Sequence, residues 1–167
     1  MGFSKTVLIW IISYLQHRQL QVRTRTSCFD INLGVPQGSV LGPLLFCLYI
    51  NDIKSHLNPE ISYILYADDL QIYIQTCPKS IKEAISKLTS AAREIIQWAT
   101  NVSLRLNAKK TTAIYFDTSK SVNELNKMDD LGIDMGDNVI IPFVNQIKSL
   151  GVILDNKLTW EAHITSI

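Results

Sequence analysis

The sequence predicts an α+β fold in which helices pack on one face of an antiparallel sheet, and three observations carry that expectation. Ile81, Ile85, Leu88, Ala92, Ile95, Ala99 and Val102 recur at alternating steps of four and three, the spacing of one long amphipathic helix. Residues 61–66 and 70–74 are two β-prone runs with room only for a turn between them. Other β-prone runs alternate with helical stretches along the chain, an order that suits helices laid on one side of antiparallel strands.

The elements follow in order. An apolar run over residues 7–15 lies within a helix expected at 4–16; it is too short to span a bilayer, and no small-residue cleavage site follows it, so it is expected to be a core helix. Strands are expected at 19–24 and 28–33, then a glycine-rich turn and a helix over 41–55. After the hairpin and the long helix come strands at 112–116, 139–141 and 147–154 and a short helix from Trp160. No linker, repeat or low-complexity segment divides the chain, so residues 1–167 are expected to form one domain.

At 167 residues, 47% hydrophobic and 19% charged, the chain can bury a real core, which excludes a disordered segment. The net charge of +1 hides an asymmetry: Lys5, Arg18, Arg23 and Arg25 precede the first acid, Asp30, whereas residues 117–137 hold six acids against Lys120 and Lys127. Clustered cations can meet a nucleic-acid backbone, although a cluster of this size is more often a solvated face. Cys28, Cys47 and Cys77 lie too far apart for a zinc spacing and leave an odd thiol under any pairing. They read as buried thiols of a reducing, intracellular compartment, nuclear or cytoplasmic.

Tyr66-Ala67-Asp68-Asp69 carries the chemistry. Asp tolerates turn geometry, so the flanking strands would present Asp68 and Asp69 at the tip of a hairpin. Two like charges there are costly alone, and Mg²⁺, a hard cation that prefers oxygen ligands and keeps positions open for phosphates, would remove the repulsion. A bare Asp-Asp pair is more often a solvated turn. Its neighbours make the difference.

Those neighbours begin with the loop over residues 34–42, Gly-Val-Pro-Gln-Gly-Ser-Val-Leu-Gly, in which glycines allow close backbone approach, Pro36 stiffens the turn and Gln37 can both donate and accept hydrogen bonds. It lacks the lysine of a Walker loop, and its glycines could equally serve close packing at a helix start. With Pro43-Leu44-Leu45-Phe46, Tyr49-Ile50-Asn51-Asp52-Ile53 and the Tyr66–Asp69 box, this loop resembles the reverse transcriptase domain of non-LTR (LINE-like) retrotransposons. Further matches keep the family's order: Gly2-Phe3-Ser4, Trp10, Ser13-Tyr14-Leu15 and Arg18; Asn107, Lys110, Thr111 and Phe116; Leu150-Gly151-Val152, Leu154-Asp155 and Leu158-Thr159-Trp160. Nearly the whole chain is covered, residues 117–139 least distinctively.

The resemblance implies a partial polymerase palm and an RNA-directed DNA polymerase acting on an RNA template, a DNA primer and a dNTP with two Mg²⁺ ions. It implies Asp68 and Asp69 as metal ligands and catalytic residues. Pro36, Gln37, Gly38, Ser39, Tyr66 and Ala67 would lie against nucleotide or template, and Lys110 would meet the pyrophosphate leaving group, with neighbouring Lys109 an open alternative. The 150–154 segment falls where relatives support the primer strand, and there Val152 and Leu154 are expected to pack.

One departure stands out. Relatives place a further catalytic aspartate on a strand upstream of the Gly-Phe-Ser segment, and the fingers precede it as well; neither is in this sequence, so the two-metal site is expected to be incomplete. Because alternate strand residues face opposite ways, Asp68 is expected to be the principal ligand. The alternative to a polymerase fragment is a catalytically inactive remnant that at most binds nucleic acid.

Overall fold

Ser4 opens the first helix: in the computed structural model, which describes residues 2–21, 28–117 and 131–167, its Oγ accepts a hydrogen bond from Val7 N at 3.4 Å and caps α1 (Lys5–Leu15). Gln16 closes the helix in extended geometry, its N–H still donating to Ile12 O. The helix lies where the sequence places it. Its burial does not, because no residue of α1 is buried, and Ile9, Trp10 and Ile12 are each at least half exposed. The apolar side chains run around the helix instead of along one face, so the expected core helix has no single stripe to bury. Trp10 stacks on Tyr14 at 5.7 Å.

The described residues fall into two compact units, Met1–Asn51 and Asp52–Ile167. In the first, β1 (Arg18–Gln21) and β2 (Cys28–Ile31) pair antiparallel from Arg18↔Ile31 to Gln21↔Cys28, and Gln19 Nε2 donates to Asp30 Oδ1 across the ribbon. The last part of the expected 19–24 strand, with Arg23 and Arg25, lies outside the described residues. α2 (Gly42–Tyr49) is shorter than expected: Ile50 ends it and Asn51–His56 continue as a 3-10 turn. Ser55 Oγ donates to Asp52 O at 2.6 Å, the kind of local side-chain bond that competes with a regular helix.

The second unit is organised by α3 (Ile81–Asn101), which buries Ala84, Ala91, Ala92, Ile95, Trp98 and Ala99. Ahead of it stand β3 (Ser62–Tyr66) and β4 (Asp69–Tyr73); after it come β5 (Gly132–Asp134), β6 (Ile140–Pro142), β7 (Gln146–Ser149), β8 (Val152–Asp155) and α4 (Glu161–Thr165). α3 packs on the β5–β6 ribbon through Ala92, Ile133 and Ile141, framed by Ile85, Leu88, Ala113, Met135 and Phe143. The fold is therefore α+β, with antiparallel pairing throughout its named strands. Among the described residues that pairing takes the form of four two-stranded ribbons. On the exposed side of α3, Lys87 Nζ bridges Glu60 at 2.7 Å and Glu83 at 3.0 Å, and these hydrogen bonds, Glu60's first, raise its pKa.

Two strand expectations need correction, and one strand was not expected. Among the described residues, 112–116 make a parallel bridge, Ala113↔Phe143, instead of a strand; Val144 N donates to Ala113 O, Asp117 N to Asn156 O, and Tyr115 meets Phe143 edge-on. The 147–154 run is a hairpin, because Leu150 and Gly151 both take positive φ (48° and 88°) and fold it back on itself. β5 was not expected, since Gly132 and Asp134 are poor strand formers; its pairing with β6 and its cover by α3 override propensity. The cysteines are also corrected: Cys28, Cys47 and Cys77 are all free and exposed. They sit on a two-stranded ribbon, on a short helix and in a connecting loop, with their side chains facing solvent. Among the described residues no helix is long and apolar enough to cross a membrane.

Asp155 locks the end of the chain's described fold. Its carboxylate accepts from Lys157 N, Thr159 N, Thr159 Oγ1 and Trp160 N at 3.0–3.1 Å, and the residue is 8% exposed. The backbone bond from Thr159, followed by those from Trp160 and Lys157, lowers its pKa below the ordinary 3.8. A carboxyl with a depressed native pKa contributes stability that is complete above its unfolded value and lost as pH falls through the native one. Asp155→Asn is therefore expected to lower the thermal midpoint at pH 7 and to flatten the loss of stability below pH 3.8. Thermal melts of both proteins from pH 7 to pH 2 check this, and parallel curves would show that the carboxylate charge is irrelevant to the turn.

Candidate functional site

The Asp-Asp hairpin is as tight as a β-hairpin can be. Tyr66 pairs directly with Asp69, leaving Ala67 and Asp68 as a two-residue turn in which Ala67 holds φ at 51°. Asp68 thus occupies the tip and Asp69 is the first residue of β4, both exposed. Among the described residues neither carboxylate takes part in an ion pair or side-chain hydrogen bond. The pairing register puts Tyr66, Ile64 and Ser62 on one face with Asp69, Gln71 and Tyr73. Tyr66 is 63% exposed there. The strand flanks were legible from sequence, but the unpartnered state of both acids was not.

Two free carboxylates offer hard oxygen donors of the kind Mg²⁺ takes, so the residues present suit that ion. They supply only part of a two-metal set, which needs bridging and terminal oxygens around ions about 3.5–4 Å apart. Among the described residues no group of three or more His, Cys, Asp or Glu side chains is gathered to hold a metal.

Lys110 lies in the same unit, in the turn that follows α3. Its N–H and that of Thr111 both donate to Asn107 O at 3.0 Å, and Thr111 Oγ1 does so too, so Asn107 nucleates the turn that carries the lysines. Lys109 and Lys110 are both exposed. No ion pair joins Lys110 to Asp68 or Asp69.

The glycine-rich loop belongs to the first unit and is built as a turn followed by a helix cap. Ser39 N donates to Pro36 O at 3.3 Å and Gly38 sits at φ 78°, the arrangement of a type II turn with glycine in its third position. Ser39 Oγ then donates to Pro36 O at 2.8 Å and accepts from Gly42 N at 3.0 Å, satisfying an N–H at the start of α2. Pro36 and Ser39 are half-buried while Gln37 and Gly38 are exposed at the crest. The glycines divide by role. A Cβ on Gly38 would meet nothing within 4 Å, whereas one on Gly42 would lie 2.9 Å from Ser39 Oγ and 3.1 Å from Pro36 O. Packing explains Gly42 and backbone conformation explains Gly38.

Arg18 is the part of this loop that sequence reasoning missed. Read as one of four clustered cations, it instead donates to Leu15 O at 2.9 Å, Leu33 O at 3.3 Å and Gly34 O at 2.7 Å, fastening the end of α1 to the start of the loop. The signal was its place one turn beyond the helix, where arginine commonly binds the last carbonyls.

With this geometry in hand, comparison with known proteins is decisive. The reverse transcriptase (RNA-dependent DNA polymerase) family pattern matches residues 1–154. The chain belongs to that family. It is 30% identical over 99% of its length to the RNA-directed DNA polymerase from mobile element jockey of Drosophila melanogaster. It is also 30% identical, over 93% of its length, to the probable RNA-directed DNA polymerase from transposon X-element of the same species. A retrovirus-related Pol polyprotein from type-1 retrotransposable element R1 of Nasonia vitripennis is 24% identical over 80% of the chain. The chain spans only 18% and 17% of the first two relatives and 39% of the third. No solved structure matches it.

If Gly42 is a packing glycine and Gly38 a conformational one, Gly42→Ala should destabilise the protein by roughly 1–3 kcal/mol, the usual cost of overfilling a packed site. Gly38→Asn should cost much less, since asparagine tolerates positive φ. Denaturant titration of the two variants ranks them, and the reverse order would refute the division.

Proposed function

We propose that the chain supplies the metal-binding hairpin and the nucleotide-facing loop of an RNA-directed DNA polymerase, with RNA template, DNA primer and dNTP as its partners. The observation that supports this most is the state of Asp68 and Asp69 in a reverse transcriptase sequence: two exposed carboxylates, one in a two-residue turn and the other opening the strand after it, free of ion pairs among the described residues. Folding gains nothing from placing two like charges there, and metal ligation gives the placement a use.

In the reaction the primer 3′-hydroxyl gives up its proton to water as its oxygen bonds to the α-phosphorus of the dNTP, the bond from that phosphorus to the oxygen bridging the β-phosphorus breaks, and pyrophosphate leaves. Asp68, with Asp69 beside it, would hold Mg²⁺, whose charge lowers the pKa of the hydroxyl and neutralises the phosphates. Lys110, or Lys109 next to it, would meet the negative charge growing on pyrophosphate or give it a proton. Gln37 and Gly38 at the crest of the type II turn would lie along the nascent base pair, with Pro36 and Ser39 holding the turn and Tyr66 and Ala67 flanking the metal hairpin.

A second reading, an inactive remnant that at most binds nucleic acid, draws on the shortage of acids: the described residues gather two carboxylates and no third. The two readings part in one assay. Electrostatic stabilisation of a transition state is worth roughly 3–4 kcal/mol per donor, and an incomplete metal set forfeits several such contributions. Residues 1–167 alone are expected to give no primer extension on poly-rA/oligo-dT with Mg²⁺ or Mn²⁺, and fusion to the upstream segment of a relative is expected to restore it. A fusion that folds and stays silent favours the remnant.

Metal binding can be tested without turnover. Mn²⁺ should broaden the amide signals of the 66–69 turn selectively, and Asp68→Asn should weaken this about tenfold or more, the loss of one charged ligand costing at least about 1.4 kcal/mol. Glu94→Gln, on the exposed side of α3, should leave it unchanged. Equal effects of the two substitutions would remove Asp68 from the assignment.

A further inference from the structure

The metal hairpin is tied to the rest of its unit at a point that no motif marks. Gln71 Nε2 donates to Ser149 Oγ at 2.7 Å, in a half-buried hydrogen bond between residues 78 apart in sequence. Among the described residues no other hydrogen bond or ion pair joins the β3–β4 and β7–β8 hairpins.

Its placement gives the bond leverage. Gln71 pairs with Ile64 and stands two residues beyond Asp69 on the same face of the ribbon, about 7 Å along the strand. Ser149 is the last residue of β7, paired with Val152 across the Leu150-Gly151 turn, where two successive positive φ values give a defined, tight bend. The contact therefore joins the tip of one hairpin to the strand that carries Asp69. A two-stranded ribbon alone is marginally stable and free to twist and rock, and Asp68 at its end amplifies that motion. An amide and a hydroxyl without charge can hold the ribbon without drawing the metal away from the carboxylates.

We propose that Gln71 and Ser149 are a positioning pair, fixing the Asp68–Asp69 hairpin against the β7–β8 hairpin so that the carboxylates meet their ligand already aligned. The pair touches neither metal nor nucleotide. The inference rests on the reading of Asp68 and Asp69 as metal ligands, and it also ties β7–β8 to catalysis by a route other than contact with a nucleic-acid strand.

The test uses the whole chain, with two readouts that fail separately. In the metal-free protein, Ser149→Ala and Gln71→Ala should each speed amide hydrogen exchange at Asp69 about fivefold, the shift expected for losing one ordinary hydrogen bond. The double variant should be no worse than either single one, because both remove the same bond. Ser149→Thr, which keeps the hydroxyl, should restore the wild-type rate. With Mn²⁺ added, Ser149→Ala should weaken binding at the 66–69 turn about fivefold while Ser149→Thr matches wild type, a pattern that a general loss of stability would not give. Unchanged exchange at Asp69 in folded Ser149→Ala, or additive effects in the double variant, overturns the pairing. Altered exchange with metal affinity unmoved overturns the positioning role. Wild-type protein that binds no Mn²⁺ at this turn overturns the metal reading beneath it, and the positioning role with it.

Discussion

The β5–β6 ribbon and the start of the Asp52–Ile167 unit lean on one helix face. α3 presents a strip rich in small residues, Ala84, Ala91, Ala92 and Ala99, punctuated by Ile95 and Trp98. Small side chains let a strand pair approach closely, and Ile133 and Ile141 close over Ala92. A three-residue strand pair such as β5–β6 has too few hydrogen bonds to persist alone, so the helix is what makes it a ribbon. Trp98 reaches the other way: its indole N–H donates to Asp52 Oδ1 at 3.2 Å and its ring lies near His56, tying the start of the unit to the same helix. Burying apolar area at about 25 cal/mol per Å² supports this arrangement only where the facing surfaces fit.

Against that ordered base, the proposed chemistry occupies the least constrained places. Asp68 stands in a two-residue turn with Asp69 opening the strand after it, Gln37 and Gly38 lie on the crest of another turn, and Lys110 on a third. Each turn is held by a neighbouring group: Ser39 and Arg18 at the glycine loop, Asn107 at the lysines, Gln71 beside the aspartates. Among the described residues Asp68 and Asp69 are left without ion pairs where a ligand would need them, and hydrogen bonds, those of the glycine loop including the charged Arg18, do the holding. The contrast with Asp155 is instructive. That carboxylate, fully engaged by four donors, is a structural lock of the same chemical type as Asp68.

The sequence made some of this legible and hid the rest for physical reasons. Local signals placed α1 and α3 well: an apolar run marked the first helix, and the alternating four and three spacing spans the second. The Asp-Asp hairpin was legible because the β-prone runs 61–66 and 70–74 leave room only for a turn, which the structure tightens to two residues by drawing Asp69 into the strand. What failed depended on distant partners. Residues 112–116 read as a strand but find only one bridge, and 132–134 read as nothing yet pair with β6 under α3. Burial failed too: α1 and the three cysteines are apolar by composition, and composition does not say whether a second layer arrives to cover them. In the site, residue types were legible but their supports were not, since Arg18 reads as a surface cation and Gln71 and Ser149 carry no motif at all.

The exposed thiols have a practical meaning. Cys28 and Cys47 fall in the first unit and Cys77 in the second, so the native protein carries attachment points for spin labels or fluorophores on both sides of the division at residues 51 and 52. Cys77 Sγ lies 3.5 Å from Ser80 Oγ, and that side-chain hydrogen bond lowers its pKa, enlarging the thiolate fraction available to a maleimide. Labels at Cys28 and Cys77, with Cys47 replaced, turn the spacing of the two units into a measurable distance distribution, and template-primer can be titrated in to see whether it narrows.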